Sequence, residues 1–436
     1  MFFSGIEQAP ADPILGLTEA FRKDPRPNKV NLGVGVFVDE QGTTPVLECI
    51  KRAERMLWET EKTKGYLPIS GSAEYGEAVS RLVFGGDFHG LAANRVATIQ
   101  SPGGTGALRI GAEFLKAFRQ EATVWMPDPS WDNHKNVFGA ASCPVKAYPY
   151  YDSFANGVDV DAMCAALEKI PAGDVVLLHV CCHNPTGADL DAAGWARVAG
   201  MATKAGWLPF FDFAYQGFGD GLEADRAGLL TVLQKVPEAM VASSFSKNMG
   251  LYGERVGALM VVAESAKAAG AALSQIKRII RVMYSNPPRH GAALARAVLA
   301  DAELRTLWLQ ELDAMRQRIA GNRQVLVAGL AKRNTGMDFS LIVRQKGMFS
   351  FSGLSHAQVD FLREQKAIYM VKGGRINVAG LLPASQEYVC DSMAESLKIY
   401  EMLAEATVPA RCPEQKAHWR FQPPVGPSRS RISPAK

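Results

Sequence analysis

One lysine with hydroxyl-bearing neighbours stands out in this sequence of 436 residues. Lys247 closes the segment SSFSK at the end of the apolar run 239–245, whose composition predicts a buried strand. A lysine amine that is removed from water has a lowered pKa and can act as a nucleophile that forms a Schiff base. The neighbouring hydroxyls of Ser244 and Ser246 suit phosphate oxygens. A serine-rich turn that ends in a surface lysine is the alternative.

Two further segments offer groups that bind phosphate. Arg255 follows eight residues after Lys247 in YGERVG, and an arginine can bind a phosphate through two hydrogen bonds. A surface or salt-bridge role is the alternative for Arg255. The run Gly103-Gly104-Thr105-Gly106 precedes a helical pattern, and helix N-termini favour anions. Because this run does not match the GxGxxG dinucleotide fingerprint, it could form only a monophosphate site.

Polar side chains also come at the ends of two other predicted strands. Asp212 ends the apolar run 207–212, and Asn184 follows the run 174–180 within NPTG. Ligands of open α/β sheets bind beyond the carboxyl ends of strands. There Asp212 could pair with a protonated ring nitrogen and Asn184 could bind a ligand oxygen. The alternatives are a helix N-cap for Asp212 and a plain turn at Asn184.

Four other residues could take part in a functional site, but the sequence around them supports such a role less strongly. Trp131 could offer an aromatic face or simply pack, and the nearby His134 has no neighbours at metal-ligand spacing in the sequence, so no metal site is predicted. Arg375 and Arg281 are single arginines in apolar surroundings. Burying an arginine is costly unless it is paired. A carboxylate partner is therefore expected for each, either from a ligand or from a structural Asp or Glu.

The elements that must position these residues form an α/β pattern. Several apolar runs are apolar throughout rather than alternating, which is typical of strands that are buried on both faces. The runs are 122–126, 174–180, 207–212, 239–245 and 256–263. Helical periodicity separates them and continues through the long region 290–332. This alternation predicts a mainly parallel sheet covered by helices.

The net charge of +4 belongs to the end of the chain. Residues 408–436 contain six bases and one acid, which leaves a net charge of −1 for the first 407 residues. A nearly neutral body gives no support for nucleic-acid binding. The last segment also contains six prolines and little periodicity, so we expect a disordered, basic tail.

Cysteine usage and hydropathy indicate a compartment. The seven cysteines form no CxxC pair, which argues against structural disulfides or a zinc ribbon and suits a reducing environment. No uncharged apolar stretch reaches about 18 residues, the length needed to span a membrane. The first 21 residues contain no base, unlike a signal peptide. We therefore expect a cytoplasmic protein without a membrane segment.

Ten segments in order resemble the class I aminotransferases, in the branch of fold-type I pyridoxal phosphate enzymes that acts on aspartate and aromatic amino acids. The segments, spread over about residues 1–403, are NLGVGVF, TKGYLPISG, SPGGTGALR, DPSWDNH, CCHNPTG, FFDFAYQGF, SSFSKNMGLYGERVG, YSNPPRHGA, GMFSFSG and GRINVAG. The resemblance implies a large domain with a mainly parallel seven-stranded sheet and a smaller α/β domain. Their expected limits are 1–45 for an N-terminal arm and part of the small domain, 46–312 for the large domain, 313–403 for the rest of the small domain and 404–436 for the tail.

The resemblance implies pyridoxal 5′-phosphate as cofactor and four catalytic residues. Lys247 would form the Schiff base and carry protons, Asp212 would keep the ring nitrogen protonated, Tyr215 would bind the ring 3′-oxygen and Trp131 would stack on the ring. The full implied cofactor-binding set is Gly103, Gly104, Thr105, Trp131, Asn184, Asp212, Tyr215, Ser244, Ser246, Lys247, Arg255 and Tyr66, with His134 supporting Asp212.

The resemblance also implies how amino-acid and 2-oxo-acid substrates bind. Arg375 would hold the α-carboxylate, assisted by Trp131 and Asn184 with Gly35 close by. Arg281 of the partner subunit would bind a distal carboxylate, and Tyr66 of the partner subunit would reach the phosphate. A homodimer with shared active sites is therefore expected.

The implied reaction is a ping-pong transamination between L-aspartate and 2-oxoglutarate that gives oxaloacetate and L-glutamate. Transamination of phenylalanine or tyrosine, alone or beside aspartate, is the alternative, since Gly65, Val38 and Met249 depart from common aspartate-type residues and could leave a roomier pocket. A non-catalytic relative that binds ligand or DNA, and a pyridoxal phosphate lyase or decarboxylase, are further alternatives. The preserved Lys247 and the two arginines argue against them.

Overall fold

The computed structural model describes residues 1–9 and 15–407, in which helices alternate with shorter strands. The α-helices in chain order are α1 (Leu15–Lys23), α2 (Glu48–Thr60), α3 (Ala73–Phe84), α4 (His89–Ala92), α5 (Gly103–Phe118), α6 (Asn133–Ala140), α7 (Val160–Leu167), α8 (Ala192–Ala205), α9 (Leu222–Leu233), α10 (Ala266–Met283), α11 (His290–Ala300), α12 (Ala302–Ala331), α13 (Leu341–Arg344), α14 (His356–Lys366) and α15 (Gln386–Thr407). Two 3-10 helices, Val378–Gly380 and Pro383–Ser385, precede α15.

The strands lie between these helices. They are β1 (Val30–Asn31), β2 (Val96–Pro102), β3 (Val124–Asp128), β4 (Val145–Pro149), β5 (Tyr151–Asp152), β6 (Gly157–Val158), β7 (Val175–His179), β8 (Leu208–Phe213), β9 (Ala239–Ser244), β10 (Val256–Val262), β11 (Phe349–Phe351), β12 (Ile368–Tyr369) and β13 (Arg375–Asn377). Five of them, β3 and β7 to β10, correspond to the five apolar runs in the sequence.

The central sheet has seven strands in the order β2-β10-β9-β8-β7-β3-β4. The pairs β3–β4, β3–β7, β7–β8 and β8–β9 are parallel, whereas β10 is antiparallel to both of its neighbours. This arrangement confirms the predicted α/β class and the mainly parallel seven-stranded sheet.

Both faces of the sheet are covered, as continuous apolar strands require. Adjacent residues of a strand point to opposite faces. On β8, Phe210 therefore packs with α5 and α10 residues such as Leu108 and Ile276, whereas Phe211 belongs to the core that includes Trp308 of α12. The strands β7, β9 and β10 are buried along their whole length.

A separate apolar core lies beside the central sheet. It joins Val30 and Leu32 near the N-terminus with Leu326 and Leu330 of α12, and with residues of the last two helices. Two short sheets, the parallel pair β1–β12 and the antiparallel pair β11–β13, belong to this region. The long helix α12 thus contributes to two cores. Its residues up to Ile319 pack in the core against the central sheet, and Leu326 and Leu330 pack in the separate core. The domain limits 1–45, 46–312 and 313–403 stay a prediction.

The C-terminal end differs from the expectation by a few residues. Helix α15 runs to Thr407, so it includes residues 404–407 that were assigned to the tail. The remainder of the predicted tail, 408–436, lies outside the described residues. No described helix is both long and apolar enough to cross a membrane. The six cysteines of the described chain are buried and form no disulfides.

Candidate active site

The candidate residues meet at one edge of the central sheet because of strand direction. The parallel strands β7, β8 and β9 end there with His179, Phe213 and Ser244, and β2 ends there with Pro102. Asp212 is the last residue but one of β8. Strand β10 runs the opposite way and pairs Val256 with Pro102. Its first residue therefore lies at the same edge, which brings the preceding Arg255 to the ends of the other strands.

A small polar pocket forms where α5 begins. Arg255 Nη2 donates to the Pro102 carbonyl oxygen at 3.3 Å and Nη1 donates to Ser246 Oγ at 3.4 Å. Gly103 has a φ of +71°, and a Cβ at this position would lie 2.5 Å from Arg255 Nη2. A Cβ on Gly104 would lie 3.3 Å from Ser244 Cβ. Only glycines leave this space open.

The charges of this pocket suit a small anion. The buried hydroxyls of Ser244 and Ser246, the guanidinium of Arg255 and the first backbone N–H groups of a helix of 16 residues converge here. A helix N-terminus carries a partial positive charge and free donors, which favours a phosphate group. Thr105 lies in the same first helical turn and is half-buried. The structure thus brings all six of these predicted residues together.

The amine of Lys247 lies between two tyrosine rings. Its Nζ is 5.6 Å from the centre of the Tyr215 ring and 5.9 Å from that of Tyr252. Removal from water lowers the pKa of Lys247 to about 8, and the charge of Asp212 partly opposes this shift. A substantial fraction of the amine is therefore neutral near pH 7 to 8, unlike a surface lysine. The alternative of a surface lysine is thus wrong.

Asp212 is a buried carboxylate held by a chain of hydrogen bonds. His134 Nε2 donates to Asp212 Oδ2 at 3.0 Å. On the other side of the ring, His134 Nδ1 lies 2.9 Å from Ser130 Oγ, and this hydroxyl lies 3.4 Å from His179 Nε2. Burial tends to raise the pKa of Asp212, but the hydrogen bond from His134 and the surrounding charges hold the pKa below its usual value. Asp212 therefore stays ionised.

Sequence reasoning missed two members of this chain, Ser130 and His179. The ligand atoms of His134, His179 and Asp212 lie within 4.8 Å of one another, a spacing that a metal ion could also use. These residues come from three elements, so no sequence spacing revealed the cluster. The available signal was the pairing of two predicted neighbouring strands, since His179 lies opposite Asp212 in the parallel register of β7 and β8.

Arg375 is almost fully buried, with 4% of its surface exposed, and it keeps one free donor. Its Nη1 donates to Asn184 Oδ1 at 3.2 Å and Nη2 donates to the Gly33 carbonyl oxygen at 2.9 Å. Within the described chain Nε has no partner, and no carboxylate forms an ion pair with this guanidinium. Burial lowers the pKa of Arg375. The structural Asp or Glu considered as an alternative partner is thus absent from residues 1–9 and 15–407.

Aromatic side chains line the space between these charged groups. The guanidinium of Arg375 lies over the Phe349 ring at 4.3 Å, and Tyr215 meets the same ring edge-on at 6.1 Å. Burial raises the pKa of the Tyr215 phenol, so this hydroxyl remains a donor. Trp131 is half-buried and packs edge-on against His134 at 5.1 Å. A Cβ on Gly35 would lie 3.0 Å from Phe349 Cζ, so this glycine keeps the site open.

Two predicted site residues lie elsewhere on the surface. Tyr66 is 94% exposed, and Arg281, at the end of α10, is exposed and donates to Ser285 Oγ. Asn286 Nδ2 donates to the Leu67 carbonyl oxygen at 2.7 Å, which ties the two segments into one surface. In the described chain neither Tyr66 nor Arg281 contacts the other candidates. Their roles in a partner subunit stay a prediction.

Comparison with known proteins extends over nearly the whole folded chain. Residues 27–393 match the family model of aminotransferases of class I and II. An aspartate aminotransferase from Haemophilus influenzae is 49% identical over 395 residues, which cover 91% of this chain and 100% of that protein. An aromatic-amino-acid aminotransferase from Pseudomonas aeruginosa is 46% identical over 379 residues, covering 87% of this chain and 95% of that protein.

Solved structures agree with these matches. An aromatic-amino-acid aminotransferase from Burkholderia pseudomallei, described as covalently bound to pyridoxal phosphate, has a TM-score of 0.89 and 50% identity, with 91% of this chain and 100% of that chain covered. The cytoplasmic aspartate aminotransferase of Saccharomyces cerevisiae has the same TM-score at 34% identity, over 91% of this chain and 99% of that chain. The sheet edge, its half-buried lysine and the sequence matches together identify this chain as a member of the class I and II aminotransferases.

Proposed function

We propose that this protein binds pyridoxal 5′-phosphate and catalyses transamination between L-aspartate and 2-oxoglutarate, giving oxaloacetate and L-glutamate by a ping-pong mechanism. The observation that carries the proposal is the buried guanidinium of Arg375, which keeps a donor free and has no carboxylate partner in the described chain. A substrate carboxylate would accept a hydrogen bond from this free donor and would supply the ion pair that the guanidinium lacks. The similarity to aspartate aminotransferases at 49% identity supports the choice of aspartate.

The arrangement of charges fits pyridoxal phosphate. The amine of Lys247 suits the aldehyde, the ionised Asp212 suits a ring nitrogen and the pocket at the start of α5 suits the phosphate. When bound, the cofactor supplies an electron sink for negative charge at the substrate Cα. In this site Gly103, Gly104, Thr105, Ser244, Ser246 and Arg255 would hold the phosphate.

The side chains around the ring would then set its electronics and move protons. The negative charge of Asp212, supported by His134, would favour the protonated form of the ring nitrogen. Tyr215, with Asn184, would hydrogen-bond the ring 3′-oxygen, and Trp131 would stack on the ring. Lys247, whose pKa is lowered to about 8, would take up and release the proton of the substrate Cα.

Substrate recognition would combine residues of two subunits. Arg375 binds the α-carboxylate beside Asn184 and Gly35, and Arg281 of the partner subunit binds the distal carboxylate. Tyr66 of the partner subunit contacts the phosphate. Exposed apolar side chains support a homodimer, since Trp58 and Val282, the latter next to Arg281, are each 85% exposed. The unpaired cysteines suit the reducing environment of the cytoplasm, where we place the enzyme.

Aromatic-amino-acid transamination is the second candidate function. It is favoured by solved relatives of that name, including one that is 50% identical, and by Gly65 and Val38, which depart from the residues common in aspartate-type members. These two functions share the α-carboxylate and differ only in the distal part of the substrate.

An amino-donor comparison tests the proposal. Purified protein with pyridoxal phosphate and 2-oxoglutarate receives either L-aspartate or L-phenylalanine, and kcat/KM is measured for each donor. We expect a higher value for aspartate, and we expect Arg375→Lys to lose activity with both donors because both carry an α-carboxylate. A higher value for phenylalanine would favour the second function, and no turnover with any donor would refute transamination.

A further inference from the structure

Arg323 is a buried arginine whose charge is met by backbone oxygens. It lies on α12 with 3% of its surface exposed. Nη1 donates to the Ile342 carbonyl oxygen at 2.9 Å and to Ser350 Oγ, and Nη2 donates at 2.7 Å to the carbonyl oxygens of both Gly347 and Phe349. Within the described chain it has no ion pair. Burying a charge is costly unless hydrogen bonds satisfy it, and here four of them do.

These four acceptors belong to the segment that carries Phe349. The segment 342–350 runs from α13 into β11, so the guanidinium of Arg323 ties both ends of the connection to one point on α12. The ring of Phe349 supports the guanidinium of Arg375 at 4.3 Å and would touch a Cβ at Gly35. A shift of this backbone would therefore move the surface on which the substrate-binding arginine rests.

The residue before Arg323 binds the other strand of the same small sheet. Asn322 Nδ2 donates to the carbonyl oxygens of Val378 and Leu381, each at 3.0 Å. These residues follow β13, which begins with Arg375 and pairs with β11 in antiparallel register. Two consecutive residues of α12 thus bind strand β11 and the segment that directly follows β13, the two strands that carry Phe349 and Arg375.

We propose that Arg323 is a positioning residue for the substrate α-carboxylate: its hydrogen bonds to β11 keep the Phe349 ring in place beneath Arg375. The inference rests on the proposed function, in which Arg375 binds that carboxylate. Arginine suits this task because its planar fork carries donors on two nitrogens in fixed directions, whereas a lysine offers a single ammonium that cannot reach all four acceptors.

The protonation state of Arg323 agrees with this role. Burial lowers the pKa of Arg323 to about 10, while the charge of the buried Asp189 opposes this shift. The guanidinium therefore keeps its proton and all its donors at neutral pH. The hydrogen bonds from Arg323 to β11 therefore stay the same over the pH range in which Lys247 titrates.

The test measures binding of an unreactive dicarboxylate, separately from turnover. Maleate is titrated calorimetrically into the pyridoxal phosphate-loaded dimer of the wild type and of Arg323→Lys, and cofactor occupancy is followed by absorbance. We expect maleate to bind about tenfold more weakly to the variant, with occupancy unchanged. The KM values for aspartate and 2-oxoglutarate should rise together, because both present an α-carboxylate, while kcat changes less.

Variants separate positioning from a loss of stability. Arg333→Lys is the matched control, because Arg333 lies just after the end of α12 and also makes four hydrogen bonds, but to Gly329 and to α15 residues. It should lower the melting temperature without changing maleate affinity. Phe349→Leu should reproduce the weakened binding, and combining it with Arg323→Lys should add little, because both changes remove the same support.

The possible results distinguish a failure of this inference from a failure of the proposed function. Maleate affinity equal to that of the wild type in a folded, cofactor-loaded Arg323→Lys variant overturns the inference while leaving the proposed function intact. A wild type that neither binds maleate nor transaminates overturns the proposed function and this inference with it. Should Arg323→Lys not fold, Ser350→Ala decides, since it removes one acceptor: weaker maleate binding supports the inference and unchanged binding rejects it.

Discussion

At the scale of single residues, the reactivity of Lys247 comes from its surroundings. The side chain lies between two tyrosine rings, at distances of 5.6 and 5.9 Å from their centres, and burial lowers its pKa to about 8. The negative charge of Asp212 raises this pKa and the positive charges of Arg255 and Arg375 lower it further. The balance leaves an amine that is both partly neutral and close to an ionised carboxylate.

A pH dependence follows for capture of the cofactor. Only the neutral amine attacks an aldehyde, so the rate at which cofactor-free protein takes up pyridoxal phosphate should rise with pH and level off above about 8. Below that value the rate should fall about tenfold per pH unit. Stopped-flow absorbance over pH 6 to about 10 measures this profile.

Two variants identify the source of the profile. Asp212→Asn should move the midpoint to lower pH, because it removes the charge that raises the pKa of Lys247. Asp161→Asn, which removes an exposed carboxylate paired with Arg197, should leave the midpoint unchanged. A midpoint near 10 in the wild type would contradict the assignment of a desolvated amine.

At the scale of elements, the site depends on how strands and helices end. The reversed direction of β10 brings Arg255 to the edge where β2, β8 and β9 end, and the positive φ of Gly103 turns the chain from β2 directly into α5. The pocket between these elements has no room for a side chain at position 103, because a Cβ on Gly103 would collide with Arg255.

Filling this pocket should weaken cofactor binding selectively. In Gly103→Ala the new methyl group lies 2.5 Å from Arg255 Nη2 and the residue keeps an unfavourable positive φ, so Arg255 must move. We expect the affinity for pyridoxal phosphate to fall about tenfold. Equilibrium titration of the cofactor-free protein, followed by absorbance, gives the dissociation constant.

The control for this prediction is another glycine-to-alanine change within a helix. Gly200 lies in α8, and a Cβ there would meet no atom within 4 Å. Gly200→Ala should leave the affinity unchanged and stabilise its helix slightly. If both variants bind the cofactor as the wild type does, the start of α5 is not the phosphate site.

At the scale of the whole molecule, the site of one chain lacks two of its predicted residues. Tyr66 and Arg281 are both exposed, their segments are joined by the hydrogen bond from Asn286 to Leu67, and the adjacent Val282 is an exposed apolar side chain. A dimer of two-fold symmetry would present this surface of each subunit to the site of the other. The complete active site would then exist only in the assembled dimer.

Mixed dimers test this arrangement. Lys247→Ala and Arg281→Ala should each be nearly inactive with aspartate alone. After the two variants are unfolded and refolded together, mixed dimers contain one site with both native residues, so about a quarter of the wild-type activity should return. Equal amounts of each variant refolded separately and then mixed provide the baseline. Recovery no greater than this baseline would show that Arg281 serves its own subunit.

Much of the site could be predicted from sequence because buried parallel strands are easy to recognise and ligands bind at their carboxyl ends. The continuous apolar runs located β7, β8 and β9, and with them Asn184, Asp212 and Lys247. Strands β2 and β4 were not predicted: β2 alternates at its start and β4 is partly exposed at the sheet edge. Such strands lack the continuous apolar run that identified the others.

What the sequence by itself determined was the local chemistry: a lysine, an aspartate, two arginines and a glycine run, each at the end of a recognisable element. The tertiary structure decided the rest. It reversed β10 to bring in Arg255, placed His179 and Ser130 behind Asp212, and used Arg323 to hold β11 beneath Arg375. Residue type and periodicity are local properties, whereas desolvation, hydrogen-bond partners and strand direction arise only when distant segments pack together.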